Sequence, residues 1–292
     1  MRPFEHVRCV SAAEAVRAWH DAGNEAAYYA GGTELLLLMK QGLSRYERLV
    51  DIKHIAALGE IASTQQGVVR IGAAVTHRRL ELSPELQRLA PLISRVERDV
   101  ANVRVRNVGT IGGNLCFAEP HSDIGVLSLL LEATMTIQGL DQVRRVPAWE
   151  FFRGPYESAV EQGELLLHIE FPACREGTRT GYQRFRHHER PSCIAGVLLE
   201  PGEDPGSCGR AVVAIGAAGY VPQRSRSAEA ALSGRTWREV AAGAAEAAAL
   251  TAAESDPTED LTGSVEYKRH LVEVLTRRAV LEAVGRMEEG QA

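Results

Sequence analysis

Hydrophobic and polar positions in the first 175 residues predict short helices and strands that alternate along the chain. Ser11 and Glu14 form a capping-box pattern, which predicts a helix that runs to about Ala22. The apolar segment 26–30 predicts a buried strand, and the apolar run 35–39 predicts a helix after a polar loop. Further strands are predicted at 49–52, 68–71, 134–137, 142–146 and 165–171, and further helical segments at 56–61, 77–82, 124–133 and 147–152.

The pattern changes at residues 173–181, a polar stretch that contains glycine. This change predicts a boundary between one domain at 1–175 and another at 176–292. Beyond it, strands are predicted at 181–185, 192–199 and 210–218, and helices at 227–232, 236–253 and 265–287. The last helix carries an apolar stripe at helical spacing, formed by Leu271, Val274, Leu275, Leu281 and Val284.

Composition narrows the possible functions. The 292 residues are 45% hydrophobic and 24% charged, as in an ordinary globular protein, and the net charge of -5 argues against a general nucleic-acid binder. No apolar run is long enough to span a membrane, and the first residues lack a signal-peptide core, so the cytoplasm is the expected compartment. The five cysteines are widely spaced without a C-x-x-C pair, so no metal or iron–sulfur site is predicted in this chain.

The segment 90–105 is amphipathic and rich in arginine. Glu97 and Asp99 interleave with the basic residues, and no aromatic residues accompany them. A solvated or partner-facing surface is therefore expected here rather than an RNA-binding surface. The arginines are Arg95, Arg98, Arg104 and Arg106.

Two glycine pairs are the main candidates for ligand binding in this sequence. Gly31-Gly32 follows the predicted strand at 26–30, and Gly112-Gly113 lies between a β-branched run and Asn114. Adjacent glycines allow positive φ and let backbone amides approach a ligand closely. Two such loops predict two amide nests that hold one extended anion, and a pyrophosphate fits that description.

The common nucleotide-binding motifs do not describe these glycine pairs. Neither pair fits the G-x-G-x-x-G pattern of a Rossmann loop or the G-x-x-x-x-G-K-[ST] pattern of a P-loop. Each pair could also be a simple tight turn. Matching polar neighbours at both pairs, and Asp123 nine residues after Asn114, favour ligand binding.

The chain resembles the flavoprotein (medium) subunit of the molybdenum hydroxylases, a group that includes aerobic carbon monoxide dehydrogenase and the xanthine dehydrogenases. The segment 30–36, Ala-Gly-Gly-Thr-Glu-Leu-Leu, is similar to the first FAD loop of that family. The segment 106–114, with Ser122-Asp123, is similar to its second FAD loop and the acidic residue that follows. Supporting similarities lie at 50–52, 71–73, 163–166, 267–271 and 277–279.

The resemblance implies an α+β fold in which an FAD-binding part of the vanillyl-alcohol-oxidase (PCMH) type, with two α+β subdomains, precedes a smaller α+β domain. That smaller domain would contain a three-stranded antiparallel sheet and helices. The implied pyrophosphate and ribityl contacts are Tyr28, Tyr29, Ala30, Gly31, Gly32, Thr33, Glu34 and Leu35. Further implied cofactor contacts are Thr110, Ile111, Gly112, Gly113, Asn114, Asp123, Leu166 and Arg184.

The second domain departs from the family pattern in one place. Some members have an Asp-Tyr or Asp-Phe pair before the strand at 194–199, where this chain has Ser192-Cys193. The preceding run contains His187, His188 and Glu189, but successive strand residues point to opposite faces, so these are not expected to bind a metal.

By the same resemblance, the chain would be the FAD-carrying electron-transfer subunit of a molybdenum hydroxylase complex. Its implied partners are a small subunit with [2Fe-2S] clusters and a large molybdopterin subunit, in a dimer of heterotrimers. FAD would take electrons from the clusters and pass them to NAD, a quinone or oxygen, so no catalytic acid or base is expected in this chain. Two alternatives remain: a self-sufficient FAD-dependent oxidase or reductase of the same fold, and an interaction module that no longer binds FAD.

Overall fold

The computed structural model describes residues 2–64, 67–186 and 190–285, and the chain forms two compact units. The first unit contains Met1–Ala118 and Ala133–Ala173, and the second contains Glu119–Glu132 and Cys174–Ala292. Both units combine helices with sheets, so the predicted α+β class is confirmed. The linear division into 1–175 and 176–292 stays a prediction about folding units.

Helices and strands occur mainly in runs of one type along the described chain, with the helices between residues 77 and 130 and the strands between residues 152 and 224 as the longest runs. The helices are α1 (Ala12–Ala22), α2 (Leu35–Gln41), α3 (His77–Leu82), α4 (Pro84–Leu89), α5 (Pro91–Glu97), α6 (Val103–Val108), α7 (Ile111–Phe117), α8 (Asp123–Leu130), α9 (Ala148–Phe151), α10 (Arg226–Leu232), α11 (Trp237–Ala242), α12 (Ala244–Glu254) and α13 (Val265–Ala283). The strands are β1 (Glu5–Arg8), β2 (Ala26–Tyr29), β3 (Arg48–Asp51), β4 (Ile61–Ser63), β5 (Val68–Gly72), β6 (Thr134–Gln138), β7 (Val143–Pro147), β8 (Phe152–Gly154), β9 (Glu157–Ser158), β10 (Leu165–Pro172), β11 (Arg179–Arg186), β12 (Pro191–Pro201), β13 (Ser207–Gly216), β14 (Gln223–Arg224) and β15 (Arg235–Thr236).

The first unit contains two larger sheets. A parallel sheet has the strand order β1-β3-β2, and an antiparallel sheet has the order β4-β5-β10-β6-β7. Helix α1 packs its apolar face on β2 and β3, where Val16 and Trp19 join a core that includes Val50 and Leu165. The Ser11 hydroxyl caps α1 by accepting from the Glu14 amide, so the predicted start of this helix is confirmed.

The amphipathic segment 90–105 is not one continuous element. Helix α5 ends at Glu97, and α6 begins only after Asn102, whose side chain accepts from the amides of Arg104 and Val105. Between them, Ala101 has a φ of 45°, which breaks the helical path. An asparagine cap after a left-handed residue therefore separates two helices that share one hydrophobic periodicity.

The second unit is built on a long antiparallel sheet. Its three main strands, β11, β12 and β13, are those predicted from sequence, but the two-residue strands β14 and β15 also pair with β13. Helix α13 lies against β11 and β12, and its buried positions include Leu271, Leu275 and Val280. Val274, Leu281 and Val284 from the predicted stripe are only partly buried. Gly243 divides the predicted helix 236–253 into α11 and α12.

No helix within the described ranges is both long enough and apolar enough to cross a membrane.

Candidate functional site

The first glycine pair lies in a strand–loop–helix unit of the first unit. Strand β2 ends at Tyr29, and α2 begins at Leu35. Gly32 has a φ of 71°, and a Cβ at this position would lie 2.5 Å from Tyr29 Cε2. Glycine is therefore required both by the backbone angle and by the space.

The amides of this loop form a run without protein acceptors. In the part of the chain that the structure describes, the backbone N–H groups from Gly31 to Glu34 donate to no other protein group. The carbonyl of Gly32 is already used, because it accepts from the Leu36 amide at 3.1 Å. Consecutive amides of this kind can hold an anion.

The structure brings the two glycine pairs together. A Cβ on Gly31 would overlap the carbonyl oxygen of Val108 and lie 2.8 Å from Gly109 Cα. Because the backbone from Val108 leads directly into Thr110 and the second pair, the segments 28–35 and 110–114 border the same region of the first unit.

The expectation that Gly112-Gly113 forms a second amide nest is wrong. Both glycines lie in the first turn of α7, without positive φ. The Gly112 amide donates to Ala73 O at 2.9 Å, and the Gly113 amide donates to the N-cap hydroxyl of Thr110 at 3.1 Å. The amides of Ile111 and Asn114 also have backbone acceptors. Helix capping by Thr110 satisfies donors that the sequence pattern assigned to phosphate.

The two glycines of this turn have different surroundings. Gly112 is buried, and a Cβ there would lie 2.5 Å from Ala73 Cβ. Gly113 is exposed, and the atom nearest to a Cβ placed on it would be Thr110 Oγ1 at 3.0 Å. Close packing on Ala73 explains the first glycine, whereas no packing against another element explains the second.

The predicted tyrosine contacts have partners within the protein. The Tyr28 hydroxyl donates to Gly163 O at 2.8 Å, and burial raises the pKa of Tyr28. Lys53 Nζ lies 3.5 Å from the centroid of the Tyr29 ring and 2.9 Å from the buried carboxylate of Asp51. Both side chains therefore support the loop, and the backbone of the segment is what it presents to a ligand.

Leu166 lies on β10, beside the second glycine pair. It is buried and precedes a register shift between β10 and β6. The neighbouring carbonyl of Leu167 accepts from the Ala73 amide at 2.9 Å, and Ala73 O in turn accepts from Gly112. Leu166 is thus linked to α7 through Leu167 and Ala73.

Asp123 and Arg184 lie together in the second unit. Asp123 is the first residue of α8 and is buried, and its carboxylate accepts from Arg184 Nη1 at 3.3 Å and from the Tyr182 hydroxyl at 3.0 Å. Tyr182 was not predicted from the sequence. Its position two residues before Arg184, on the same face of β11, is the signal that would have pointed to it.

The described part of the chain contains no evident nucleophile or metal site. None of the five cysteines is in a disulfide, and burial raises the pKa of Cys116 and of Cys193 to about 12, so both thiols stay protonated. Across residues 2–64, 67–186 and 190–285, no group of three potential metal ligands is found. His187, His188 and Glu189 lie outside the described residues.

Comparisons with known proteins match nearly the whole chain. A family model described as the FAD binding domain in molybdopterin dehydrogenase matches residues 2–174, and one described as the CO dehydrogenase flavoprotein C-terminal domain matches residues 183–283. The carbon monoxide dehydrogenase medium chain of Hydrogenophaga pseudoflava is 31% identical over 97% of this chain and 98% of its own length. The xanthine dehydrogenase FAD-binding subunit of Escherichia coli O157:H7 is 28% identical over 95% of this chain and 94% of its own length.

A solved structure has the same fold. Carbon monoxide dehydrogenase from Hydrogenophaga pseudoflava, in a form that lacks the Mo-pyranopterin moiety of the molybdenum cofactor, superposes with a TM-score of 0.90 at 31% identity. The match covers 98% of this chain and 99% of that chain.

Proposed function

The chain belongs to the family of FAD-binding subunits of molybdenum hydroxylases, the oxidoreductases that include carbon monoxide and xanthine dehydrogenases, and on this premise we propose that it carries electrons between partner subunits and an external acceptor. Its FAD takes electrons from [2Fe-2S] clusters of a partner subunit and passes them to NAD, a quinone or oxygen. The flavin ring supplies this redox chemistry when bound, and the protein binds and orients it.

The single observation that carries the proposal is the run of amides from Gly31 to Glu34 without protein acceptors. It lies where the two glycine pairs meet, because Gly31 packs on Val108 and Gly109. A pyrophosphate is an anion rich in hydrogen-bond acceptors, so these donors fit it well. Glycine at 113 leaves the adjacent surface of α7 open to the same ligand.

The remaining predicted contacts stay part of the proposal. Tyr28 and Tyr29 hold the first loop in shape, and Asn114 lies half-buried beside Gly113 on α7. Asp123, Leu166 and Arg184 are proposed cofactor contacts on the family resemblance.

A titration of the purified chain with FAD tests the proposal. We expect Gly113→Val to weaken FAD binding by about a hundredfold, because a side chain would occupy the ligand's place and displace its charge-assisted hydrogen bonds. Circular dichroism and thermal unfolding should show that the variant keeps its fold, since Gly113 is exposed.

Gly59→Ala is the matched control for this titration. Gly59 has no positive φ, and nothing lies closer to its Cβ position than Arg79 Nη1 at 3.8 Å. Its FAD affinity should equal that of the wild type. Equal affinities of all three proteins would contradict the proposed site, and absence of FAD binding by the wild type would contradict the proposed function.

The proposal includes partners: a small [2Fe-2S] subunit and a large molybdopterin subunit, assembled as a dimer of heterotrimers. Purification of the tagged chain from its native host, with flavin, iron and molybdenum measured together, tests this. We expect all three in one complex with two further chains. Flavin alone on a single chain would instead support the self-sufficient FAD enzyme.

We propose the cytoplasm as the compartment of this complex. The five cysteines form no disulfide framework, a pattern that is common in reducing compartments. Fractionation of host cells, followed by detection of the chain with an antibody, would test this.

A further inference from the structure

A buried hydrogen-bonded pair joins the start of α3 to the end of α5. His77 is the first residue of α3 and is 3% exposed, and Glu97 is the last residue of α5 and is 0% exposed. His77 Nδ1 lies 2.8 Å from Glu97 Oε2. Within the described ranges, the second carboxylate oxygen, Glu97 Oε1, is buried and has no hydrogen-bond partner. Because an unsatisfied buried polar atom costs free energy, packing of the two helices does not by itself explain this pair.

The backbone of His77 is bonded to the segment that leads into α7. Its amide donates to Gly109 O at 3.0 Å, and the preceding residue, Thr76, forms an isolated β-bridge with Thr110. The ring of His77 also lies against this segment, since a Cβ on Gly109 would be 3.3 Å from His77 Cδ2. The backbone and the ring of His77 therefore both fix the position of Gly109.

Gly109 in turn lies against the first glycine pair. A Cβ on Gly31 would be 2.8 Å from Gly109 Cα, so not even one additional methyl group fits between the two backbones. Gly31 begins the run of amides that we propose to bind pyrophosphate, and Gly109 is followed by Thr110, which caps α7. Continuous contacts thus lead from Glu97 through His77 and Gly109 to the proposed pyrophosphate site.

Resting on the proposed FAD site, we propose that His77 and Glu97 are positioning residues that set the spacing between the amide run and the first turn of α7. A hydrogen bond allows only a narrow range of distances and angles, so Glu97 holds the His77 ring in one orientation against Gly109. Apolar side chains could fill the same volume at no cost in stability, but they would not fix that orientation. The chain keeps a costly polar pair where the cofactor needs a precise backbone position.

Replacement of both residues by leucine separates positioning from stability. The variant His77→Leu/Glu97→Leu removes the buried polar atoms together, so we expect it to unfold at a urea concentration equal to or higher than that of the wild type. Its affinity for FAD should nevertheless fall by about tenfold, because Gly109 is no longer held at the spacing that the pyrophosphate requires. A role in folding alone would leave the FAD affinity unchanged. Titration with FAD and urea unfolding of each purified variant measure the two quantities.

Single substitutions of Glu97 test the hydrogen bond itself. Glu97→Gln keeps an oxygen that can accept from His77 Nδ1, so we expect wild-type FAD affinity. Glu97→Leu leaves His77 buried without this partner and should lower both the urea midpoint and the FAD affinity. Rescue by glutamine but not by leucine is the expected signature of positioning through this bond.

Ser94→Ala is the matched control. Ser94 lies three residues before Glu97 and is 3% exposed, and its hydroxyl donates to Leu80 O at 2.9 Å. It therefore also joins α5 to α3, but through a residue about one turn away from His77. Loss of this bond should lower the urea midpoint, while the FAD affinity stays that of the wild type.

Two results would overturn the proposal. Wild-type FAD affinity in a folded His77→Leu/Glu97→Leu variant would show that the pair serves the packing of the helices only. Equal losses of FAD affinity in Glu97→Leu and Ser94→Ala would show that affinity follows the stability of α3 and α5, whereas a loss confined to Glu97→Leu would support positioning even if the double variant does not fold. Both contrary results require a wild type that binds FAD, so they are distinct from a failure of the proposed function.

Discussion

Gly112 and Gly113 are adjacent, but different forces select glycine at each position. Gly112 packs on Ala73, with which its amide also makes a hydrogen bond. Gly113 is exposed within a helix, where glycine costs about 1 kcal/mol relative to alanine. Because Gly113 weakens its own helix and is not required for packing, it indicates that a ligand occupies the space where a side chain would lie.

Gly112→Ala and Gly113→Ala should therefore change the free energy of unfolding of the FAD-free protein in opposite directions. Gly112→Ala is expected to lower the free energy of unfolding by about 1–3 kcal/mol, because its Cβ would lie 2.5 Å from Ala73 Cβ. Gly113→Ala should raise it by about 0.5 kcal/mol, since helix propensity improves while Thr110 Oγ1 must shift slightly. Urea-induced unfolding of both variants measures these differences.

These two variants act as controls for each other, because they differ by one position in one helical turn. Equal destabilisation by both would mean that Gly113 also serves packing. In that case its glycine would no longer indicate that this surface is kept open for a ligand.

At the level of elements, helix caps could be predicted from the sequence, whereas elements that depend on hydrogen bonds to distant residues could not. Ser11 caps α1 as the sequence predicts, and Thr76 caps α3 directly before the predicted helical segment 77–82. Thr110 carries the same cap signal, but the glycines that follow it suggest a loop, whereas hydrogen bonds from Ile111 to Val75 and from Gly112 to Ala73 hold this segment as the first turn of a helix. These bonds join residues that are 36 and 39 positions apart in the chain, and local pattern carries no information about them.

The short strands were missed for a related reason. Strands β14 and β15 have two residues each and exist only because β13 offers an edge to pair with. Two residues contain too little periodicity to predict a strand. Similarly, Tyr182 has no recognisable motif of its own, and only the fold of β11 and α8 places it beside Asp123.

Helix α13 is anchored by an ion pair whose strength depends on pH. Lys268 is 1% exposed, and its Nζ lies 2.7 Å from Asp260 Oδ2, with His121 Nε2 at 3.7 Å from the same oxygen. Burial alone would raise the pKa of Asp260, but hydrogen bonds from Lys268 and Thr262 outweigh it and lower the pKa to about 2. The folded state therefore favours the ionised carboxylate more than the unfolded state does.

The stabilisation by Asp260 should be fully present above about pH 4 and lost as the pH falls from 4 to 2. Because the side chain is about one-third exposed, we expect about 1–2 kcal/mol. Asp260→Asn should remove this part of the pH dependence, and Lys268→Met should reduce it but leave the share that comes from the hydrogen bonds of Thr262. Chemical unfolding of the wild type, Asp260→Asn, Lys268→Met and the double variant measures this pH dependence. Parallel pH curves for the wild type and Asp260→Asn would contradict the assignment.

At the level of the whole molecule, the chain enters the second unit twice. Residues 119–132 leave the first unit, contribute α8 to the second, and return at Ala133. Every residue of α8 is buried, and the helix packs on β12 and β13. The sequence predicted this helix well, but its apolar residues do not reveal which sheet they cover, so a linear boundary near 175 separates the helix from the unit it completes.

The second unit should therefore fold only when α8 is present. Burial of its Ile, Val and Leu side chains contributes up to about 10 kcal/mol, which is comparable with the whole stability of a typical domain. We expect the fragment 174–292 to lack cooperative thermal unfolding, and the same fragment with residues 119–132 fused through a Gly/Ser linker to regain it. A fused control with Leu127→Asp and Leu130→Asp should fail to fold, because charged groups cannot be buried on the sheet without partners. Cooperative unfolding of fragment 174–292 alone would show that β11, β12 and β13 with α13 form a sufficient core, and that the boundary predicted from sequence is also the boundary of a folding unit.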